Sequence, residues 1–423
     1  MVVAGDKDLS KRGALKVLFV YRDYPPETDG GGGSYLAAIA PALVLRGHDV
    51  HILSCVRGQQ AGTYFDRGVH IHRADQLRIP GLDRLTRALA APFTFARIRA
   101  GLSVLAHYRR LDVHFDVIEI ADWGAEGWAL ALVHSKPIVA QLHTPLAVIA
   151  RYSDVRNKRD WAWASRLEHF AVHRADVITS PTSTQLRSFH EVGWLKGRDV
   201  ITIPHTVDWY SWSDALPVQE SPPTVLFLGR LERNKAPELV VQALRIIQRR
   251  IPDAKALFVG RSIGERDGLP YLEWVKLEAS KTGGCEFMGQ VPRSEVCRFL
   301  SMSRVLAVPS HFESYSMATL EAMAAGRPVV VTAATGAAEL VRNADAGRVV
   351  PAGDPEALAA ALLPFLADAA YAMTVGERAK AATRTELDPD RIAAQREAAY
   401  RQAIAVFYRR VRVSDRFELA KGH

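Results

Sequence analysis

Between Ser303 and Pro328 the chain reads SRVLAVPSHFESYSMATLEAMAAGRP, and no other stretch narrows the possible folds as much. Val305 to Val308 is a short unbroken apolar run, the pattern of a strand buried on both faces. A polar loop follows from Pro309 to Ser316. Met317 to Ala325 is built from good helix formers, and Gly326 stops it. Strand, loop and helix in that order belong to an open parallel α/β sheet, and the loop then lies at the carboxyl end of a strand, where such sheets bind ligands. The helix start at Ser316, Met317 and Ala318 presents unpaired N–H groups and the positive end of a helix dipole, a setting for phosphate. Glu313 in the loop and Glu321 in the helix bracket that turn. An ionised carboxylate accepts hydrogen bonds from two adjacent hydroxyls, as on a sugar or a ribose.

Two glutamates at this spacing are common on solvated surfaces, so the flanks decide. With Pro309-Ser310 before the pair and Ala325-Gly326-Arg327-Pro328-Val329-Val330 after it, the Glu-x7-Glu segment resembles the donor site of retaining glycosyltransferases of family 4, glycosyl transferases group 1. The resemblance implies the GT-B fold: two Rossmann-like, doubly wound parallel-sheet domains facing each other across a cleft. It implies a nucleotide-sugar-dependent transferase of the hexosyltransferase type, moving a sugar to an acceptor hydroxyl or other nucleophile with retention of configuration. The only cofactor-like molecule implied is the donor itself, UDP- or GDP-linked, with no metal.

The length of 423 residues fits two domains better than one. No run approaches the 18 or so apolar residues of a membrane span. The polar N-terminus, 1–15, reads as a tail before the first strand and not as a signal peptide. Cys55, Cys285 and Cys297 lack metal-ligand spacing and fit a reducing, cytoplasmic setting. The net charge of +8 favours anionic partners, but without zinc-finger spacing, an RNP pattern or a basic tail nucleic acid is not expected.

In the first half, Lys16 to Tyr21 is a strand, RDYPPETDGGGGSY a loop, and Tyr35 to Leu45 a helix closed by Arg46-Gly47-His48. The glycines let backbone N–H groups approach a substrate. They do not form GxGxxG and no acidic residue ends the next strand, which argues against NAD. Counted back from Gly47-His48, Gly30 and Gly31 match the family's GG…LA…L…GH pattern, which implies a loop near diphosphate and acceptor. Leu77 to Arg110 carries seven arginines against Asp83 with Leu82, Leu85, Leu89 and Phe93 near helical spacing. It reads either as core helices with a solvated basic face or as a surface for peripheral contact with the inner face of a membrane. Strands at 116–120 and 137–141 end on Asp122-Trp123 and on His143. Position suggests Asp122 and Trp123 for the acceptor, and the resemblance puts the His143 imidazole beside the donor sugar. Val200 to Asp208 matches the family's I-P-N-G-V-D, with His205-Thr206 in place of Asn-Gly.

Residues 211–223, rich in proline and serine, form the best linker candidate between domains at 16–210 and 224–385, with 386–410 a helix that in the family crosses back to the first domain. Val225 to Leu228 opens a new β-α-β unit. Its Gly229-Arg230-Leu231…Lys235-Ala236 resembles the family's G-R-L-x-x-x-K-G element, with alanine for the last glycine. Arg230 offers a planar fork and Lys235 a mobile point charge to a diphosphate. The Glu286 to Val291 stretch resembles the loop that packs on the nucleobase, with Val291 in contact. The expected catalytic set is therefore His143, Arg230, Lys235 and Glu313. The donor would also meet Gly30, Gly31, Val291, Ser316, Met317, Ala318 and Glu321. Three other readings stay open: a phosphorylase, for which no pyridoxal-phosphate lysine motif is found; a non-catalytic nucleotide-sugar binding protein; and a membrane-surface scaffold.

Overall fold

The computed structural model describes residues 13–25, 30–58, 60–153, 155–212 and 214–421. The tail at 1–12 and the loop at 26–29 lie outside these residues. One sheet is built from β1 (Lys16–Val20), β2 (Asp49–Cys55), β3 (Gly62–Asp66), β4 (Val69–Ala74), β5 (Val117–Ala121), β6 (Ile138–Gln141), β7 (Val177–Ser180) and β8 (Val200–Thr202), in the order β3-β4-β2-β1-β5-β6-β7-β8. It is parallel except where β3 pairs with β4. The other contains β9 (Thr224–Leu228), β10 (Lys255–Val259), β13 (Cys285–Gly289), β14 (Val305–Val308), β15 (Val329–Thr332) and β16 (Gly347–Val350), in the parallel order β13-β10-β9-β14-β15-β16. A short hairpin, β11 (Glu265–Arg266) and β12 (Leu269–Pro270), stands apart.

Unbroken apolar strands such as β14 and β15 dictate this layering, because both faces have to be covered by helices. Apolar clusters line both faces of the first sheet, with Phe19, Ile39 and Ile52 on one side and Leu18, Leu53 and Ile118 on the other. The second sheet repeats the plan, with Phe227, Leu244 and Phe258 opposite Leu226, Leu257 and Leu320. In each sheet the winding reverses beside its first strand: β1 lies between β2 and β5, and β9 between β10 and β14. Such switch points open a crevice at the carboxyl ends of the strands.

The last helix, Pro389–Lys421, returns to the first sheet. Its Ile392, Ala393, Tyr400 and Ala403 join the core there, and Arg46 meets Asp390 at 2.7 Å and Glu397 at 3.1 Å.

Several local expectations change. Gly31–Leu45 is one helix, so Gly31 to Gly33 form its first turn and not a loop. Of the Glu286 to Val291 stretch, expected as loop, residues 286–289 belong to strand β13. The proline-rich stretch 211–223 is packed, with Trp212 and Val218 buried in the second sheet's core. Leu77 to Arg110 folds as helices Leu82–Ala88 and Pro92–Tyr108. Arg97 is buried there on Glu168 at 2.9 Å, while Arg84 and Arg87 stay exposed beside Leu85, Leu89 and Phe93. The edge pair β3–β4 had no sequence assignment.

Candidate active site

The loops at both switch points line one cavity of about 390 Å³ between the sheets. From the second sheet come Arg230 and Lys235 after β9, and Glu313, Ser316, Met317, Ala318 and Glu321 after β14. The two loops are tied together: the His311 N–H donates to the Asn234 carbonyl at 2.8 Å, and the Asn234 side chain to the Phe312 carbonyl at 2.8 Å. Lys235 forms an ion pair with Glu313. Burial, then the adjacent Arg230 guanidinium, push the Lys235 ammonium down to about 7, with Glu232 opposing; direct contact with Glu313 opposes it as well. Arg230 meets Glu232 at 3.1 Å.

Helix Met317–Ala324 aims its N-terminus into this space. Ser316 caps it from a left-handed conformation, φ 73° and ψ 86°, which a non-glycine residue holds only when its surroundings force it. Those surroundings are close: a Cβ on Gly336 would sit 1.8 Å from the Ser314 carbonyl oxygen, so only glycine fits under the loop. The Gly336 N–H donates to the Glu313 carbonyl at 2.8 Å. Glu321, almost fully buried, accepts from Arg293 at 2.8 Å, and the same guanidinium nitrogen donates to Ser34 of the first half at 2.6 Å.

Opposite stand Gly30, Gly31, Trp123, Glu126, His143 and His205. Gly31 lies against Met317, where an added Cβ would be 3.5 Å from its side chain. A second helix N-terminus, that of Gly31–Leu45, therefore faces the first across the cavity. His143 is neutral, because burial and then Arg396 push it down to about 3. Its Nε2 lies 3.2 Å from the Tyr21 hydroxyl. That hydroxyl gives its one hydrogen to Glu119 at 3.0 Å, so Nε2 carries the imidazole hydrogen and Nδ1 keeps its lone pair. Glu119 also accepts from Tyr35 and Tyr400, each at 2.8 Å.

Asp122 departs from expectation. It is fully buried and does not line the cavity; its carboxylate accepts the backbone N–H of Trp123 at 2.7 Å and of His143 at 2.8 Å. It shapes the loop that holds His143 and does not face an acceptor. The His205-Thr206 substitution costs the turn nothing visible, since neither residue has positive φ and Thr206 donates to the Leu387 carbonyl at 2.7 Å.

The family models agree with this geometry. Glycosyltransferase Family 4 matches residues 29–209, and Glycosyl transferases group 1 matches 211–382. The chain belongs to this glycosyltransferase family. The glycosyltransferase is 26% identical over 389 residues to a glycogen synthase of Mycobacterium tuberculosis, covering 88% of this chain and 91% of that one. Its fold is GT-B, similar to sucrose-phosphate synthase from Thermosynechococcus elongatus (TM-score 0.74, 23% identity, 92% and 99% covered). It is also similar to HepE from Anabaena, solved with UDP-glucose (TM-score 0.65, 18% identity, 90% and 98% covered). It is a nucleotide-sugar-dependent enzyme.

Sequence reasoning about the glycosyltransferase missed Glu126 and Arg293, both in the cavity wall. Glu126 sits in an ordinary-looking AEGW stretch, yet burial pushes its carboxyl up to about 8. At neutral pH it is a hydrogen-bond donor and not a base. Arg293 follows Val291 by two residues and gave no signal beyond its charge.

Proposed function

We propose that the enzyme transfers a sugar from a UDP- or GDP-linked donor to an acceptor hydroxyl, retaining the anomeric configuration and using no metal. The carrying observation is the convergence of Arg230, Lys235 and the helix start at Ser316 to Ala318 on one cavity, with two carboxylates beside them. When the bond between the anomeric carbon and the diphosphate breaks, its electron pair leaves with the diphosphate. The two cations and the helix N–H groups stabilise that charge, in the place a metal ion would otherwise take. The sugar becomes oxocarbenium-like. The acceptor oxygen bonds to the anomeric carbon on the face of departure, and its proton passes to the departing phosphate oxygen.

In this reading the diphosphate draws Lys235 away from Glu313, which frees the carboxylate for sugar hydroxyls. Glu321 takes the ribose. His143 accepts a sugar hydroxyl at Nδ1, the nitrogen left without a hydrogen. Gly30 and Gly31 let backbone approach the diphosphate, Val291 packs on the base, and Trp123 borders the acceptor. A peripheral membrane contact belongs to the same reading. Exposed Leu85, Leu89 and Phe93 beside Arg84 and Arg87 suit an anionic bilayer surface, and cosedimentation with anionic vesicles should fall when both arginines become glutamate.

The decisive test pairs binding with turnover. UDP heads the nucleotide panel, because UDP-glucose is what the similar Anabaena protein was solved with. Lys235→Ala and Arg230→Ala should each lower kcat by about 100-fold or more, the scale for losing one transition-state donor. Glu321→Ala should mainly weaken the free nucleoside diphosphate by calorimetry. Wild-type turnover in both cation variants would refute the assignment.

A further inference from the structure

We propose that a second cavity, beside the transfer cavity, binds a phosphate group carried by the acceptor. The proposal rests on the glycosyl-transfer reading for what that phosphate is attached to. The cavity is about 790 Å³ and lies at the carboxyl ends of β1, β2 and β4. Arg22, Arg57, Arg73 and Arg261 line it, against one carboxylate, Asp23, among the described residues. Guanidinium groups on an open surface are usually just solvated, but here a recess gathers them, and a concave wall of one sign concentrates its field on an anion.

Two of the four are held by aromatic faces. The Arg73 guanidinium carbon is 4.8 Å from the Tyr64 ring centre, and that of Arg22 is 5.9 Å from Trp123. Stacking fixes the plane of the group through its face. Its N–H groups lie in that plane; one of Arg73 donates to the Pro25 carbonyl at 3.3 Å, and a guanidinium edge with two N–H groups matches two oxygens of a phosphate.

Position then assigns the ligand. Arg22, Asp23, Trp123 and Arg261 belong to both cavities, so the two spaces share a wall. An acceptor anchored by its phosphate in the second cavity extends past Trp123 toward the anomeric carbon. Arg261 stands on the loop after β10, in the other half of the molecule from Arg22, Arg57 and Arg73. The same phosphate therefore bridges the halves, and an acceptor lacking it loses both its anchor and that bridge. The shared chemistry is a phosphate mono- or diester, supplied either by a small soluble ester or by a phospholipid headgroup.

The test titrates inorganic phosphate into the full chain and into two variants. Arg57 and Arg73 touch only the second cavity, so Arg57→Gln/Arg73→Gln should weaken phosphate at least tenfold and leave nucleoside diphosphate affinity as in the wild type. Lys235→Ala should do the reverse, and its failure to weaken the nucleotide would strike the donor reading and not this one. Arg57→Lys/Arg73→Lys guards against a folding defect: it keeps the charge and should keep most of the phosphate affinity. Glycerol 1-phosphate and the soluble lipid dihexanoyl phosphatidylglycerol separate the sources, since the one whose binding falls further in the glutamine variant marks the class. If the glutamine variant, folded by thermal unfolding, binds phosphate and both esters like the wild type, the proposal is overturned.

Discussion

The two halves of the molecule share a sheet topology and differ in what their strands bury. In the second sheet the inner strands are apolar except for Thr224, Lys255 and Thr332 at their ends, and the charges that line the cavity sit beyond them, in loops and in the helix that carries Glu321. In the first sheet β5, β6 and β7 bury Glu119, Gln141 and Thr179 completely. Arg396 and Tyr400 of the returning helix reach into that layer: Arg396 donates to Thr179 at 3.0 Å and lies 3.6 Å from Glu119. The difference follows from the task. A diphosphate needs charge, which is cheap to present from a loop on an inert sheet. A neutral histidine of fixed tautomer needs a dry setting with a hydrogen-bond partner, and Tyr21 on Glu119 supplies both.

Removing the carboxylate at the centre of the first half should therefore cost most. Glu119→Gln leaves Arg396 buried without its counter-charge, and breaking a buried pair costs about 3–5 kcal/mol. Urea unfolding measures this directly. The comparison predicts a smaller loss, about 2 kcal/mol, for an apolar trim of the second sheet such as Val330→Ala, which removes two buried carbons at about 0.8 kcal/mol each and leaves a small cavity. Equal losses would erase the distinction between the halves.

A gain is expected next, at Glu126. Its carboxyl is raised from 4.5 to about 8 by burial, so the folded chain holds a proton that the unfolded chain has released. This contribution to stability is complete below pH 4.5 and is lost as pH rises through 8. Glu126→Gln removes the dependence and should stabilise the protein by about 3 kcal/mol at pH 7, from 1.4 kcal/mol per pH unit. The gain should vanish near pH 4.5. A gain that stays constant with pH would mean that Glu126 is ionised in the folded protein.

These two positions also show where a sequence stops being legible. Val305 to Val308 and Val329 to Thr332 declared themselves by unbroken apolar residues, and their structural bounds are those the sequence gives to such runs. Arg230, Lys235, Glu313 and Glu321 were readable because each follows a strand end by a short, patterned loop, and all four line the cavity. Glu119 was not, because one acid inside DVIEI looks like the solvent face of a strand until Tyr21, Tyr35, Tyr400 and Arg396 arrive from distant segments. Asp122 misled for the opposite reason: its place at a strand end suggested a ligand, while two local backbone N–H groups had already claimed it. The helix over 31–45 runs through its glycines, and Gly31 packs against Met317, a contact between halves that no local pattern encodes.

The donor side offers a third test, on the scale of one pH unit. With Glu313 beside it the Lys235 ammonium stands at about 7, and in Glu313→Gln that opposing carboxylate is neutralised, so burial and Arg230 push the ammonium lower still. Only the ammonium binds diphosphate well. Above pH 7 the wild type's kcat/KM for the donor should fall about tenfold per pH unit, equivalent to about 1.4 kcal/mol. The variant's fall should begin at lower pH. Coincident profiles would show that Glu313 does not control the charge of Lys235.

The smallest expected effect lies one residue further on. Ala236 has φ 48° and ψ 50°, a left-handed conformation that costs an L residue about 1–2 kcal/mol and glycine almost nothing. Strain alone would make Ala236→Gly stabilising. The methyl group, however, is fully buried in the cluster of Leu239, Val240 and Leu244, and removing a buried carbon of this size loses about 0.8 kcal/mol. Glycine also loosens the unfolded chain by about 0.4–1 kcal/mol. These terms oppose one another, so thermal unfolding should place the variant within about 1 kcal/mol of the wild type. A larger gain would mean that the methyl packs poorly and the strain at Ala236 is held there by the adjoining Lys235 loop, which would place a second strained residue, after Ser316, next to the groups that meet the donor.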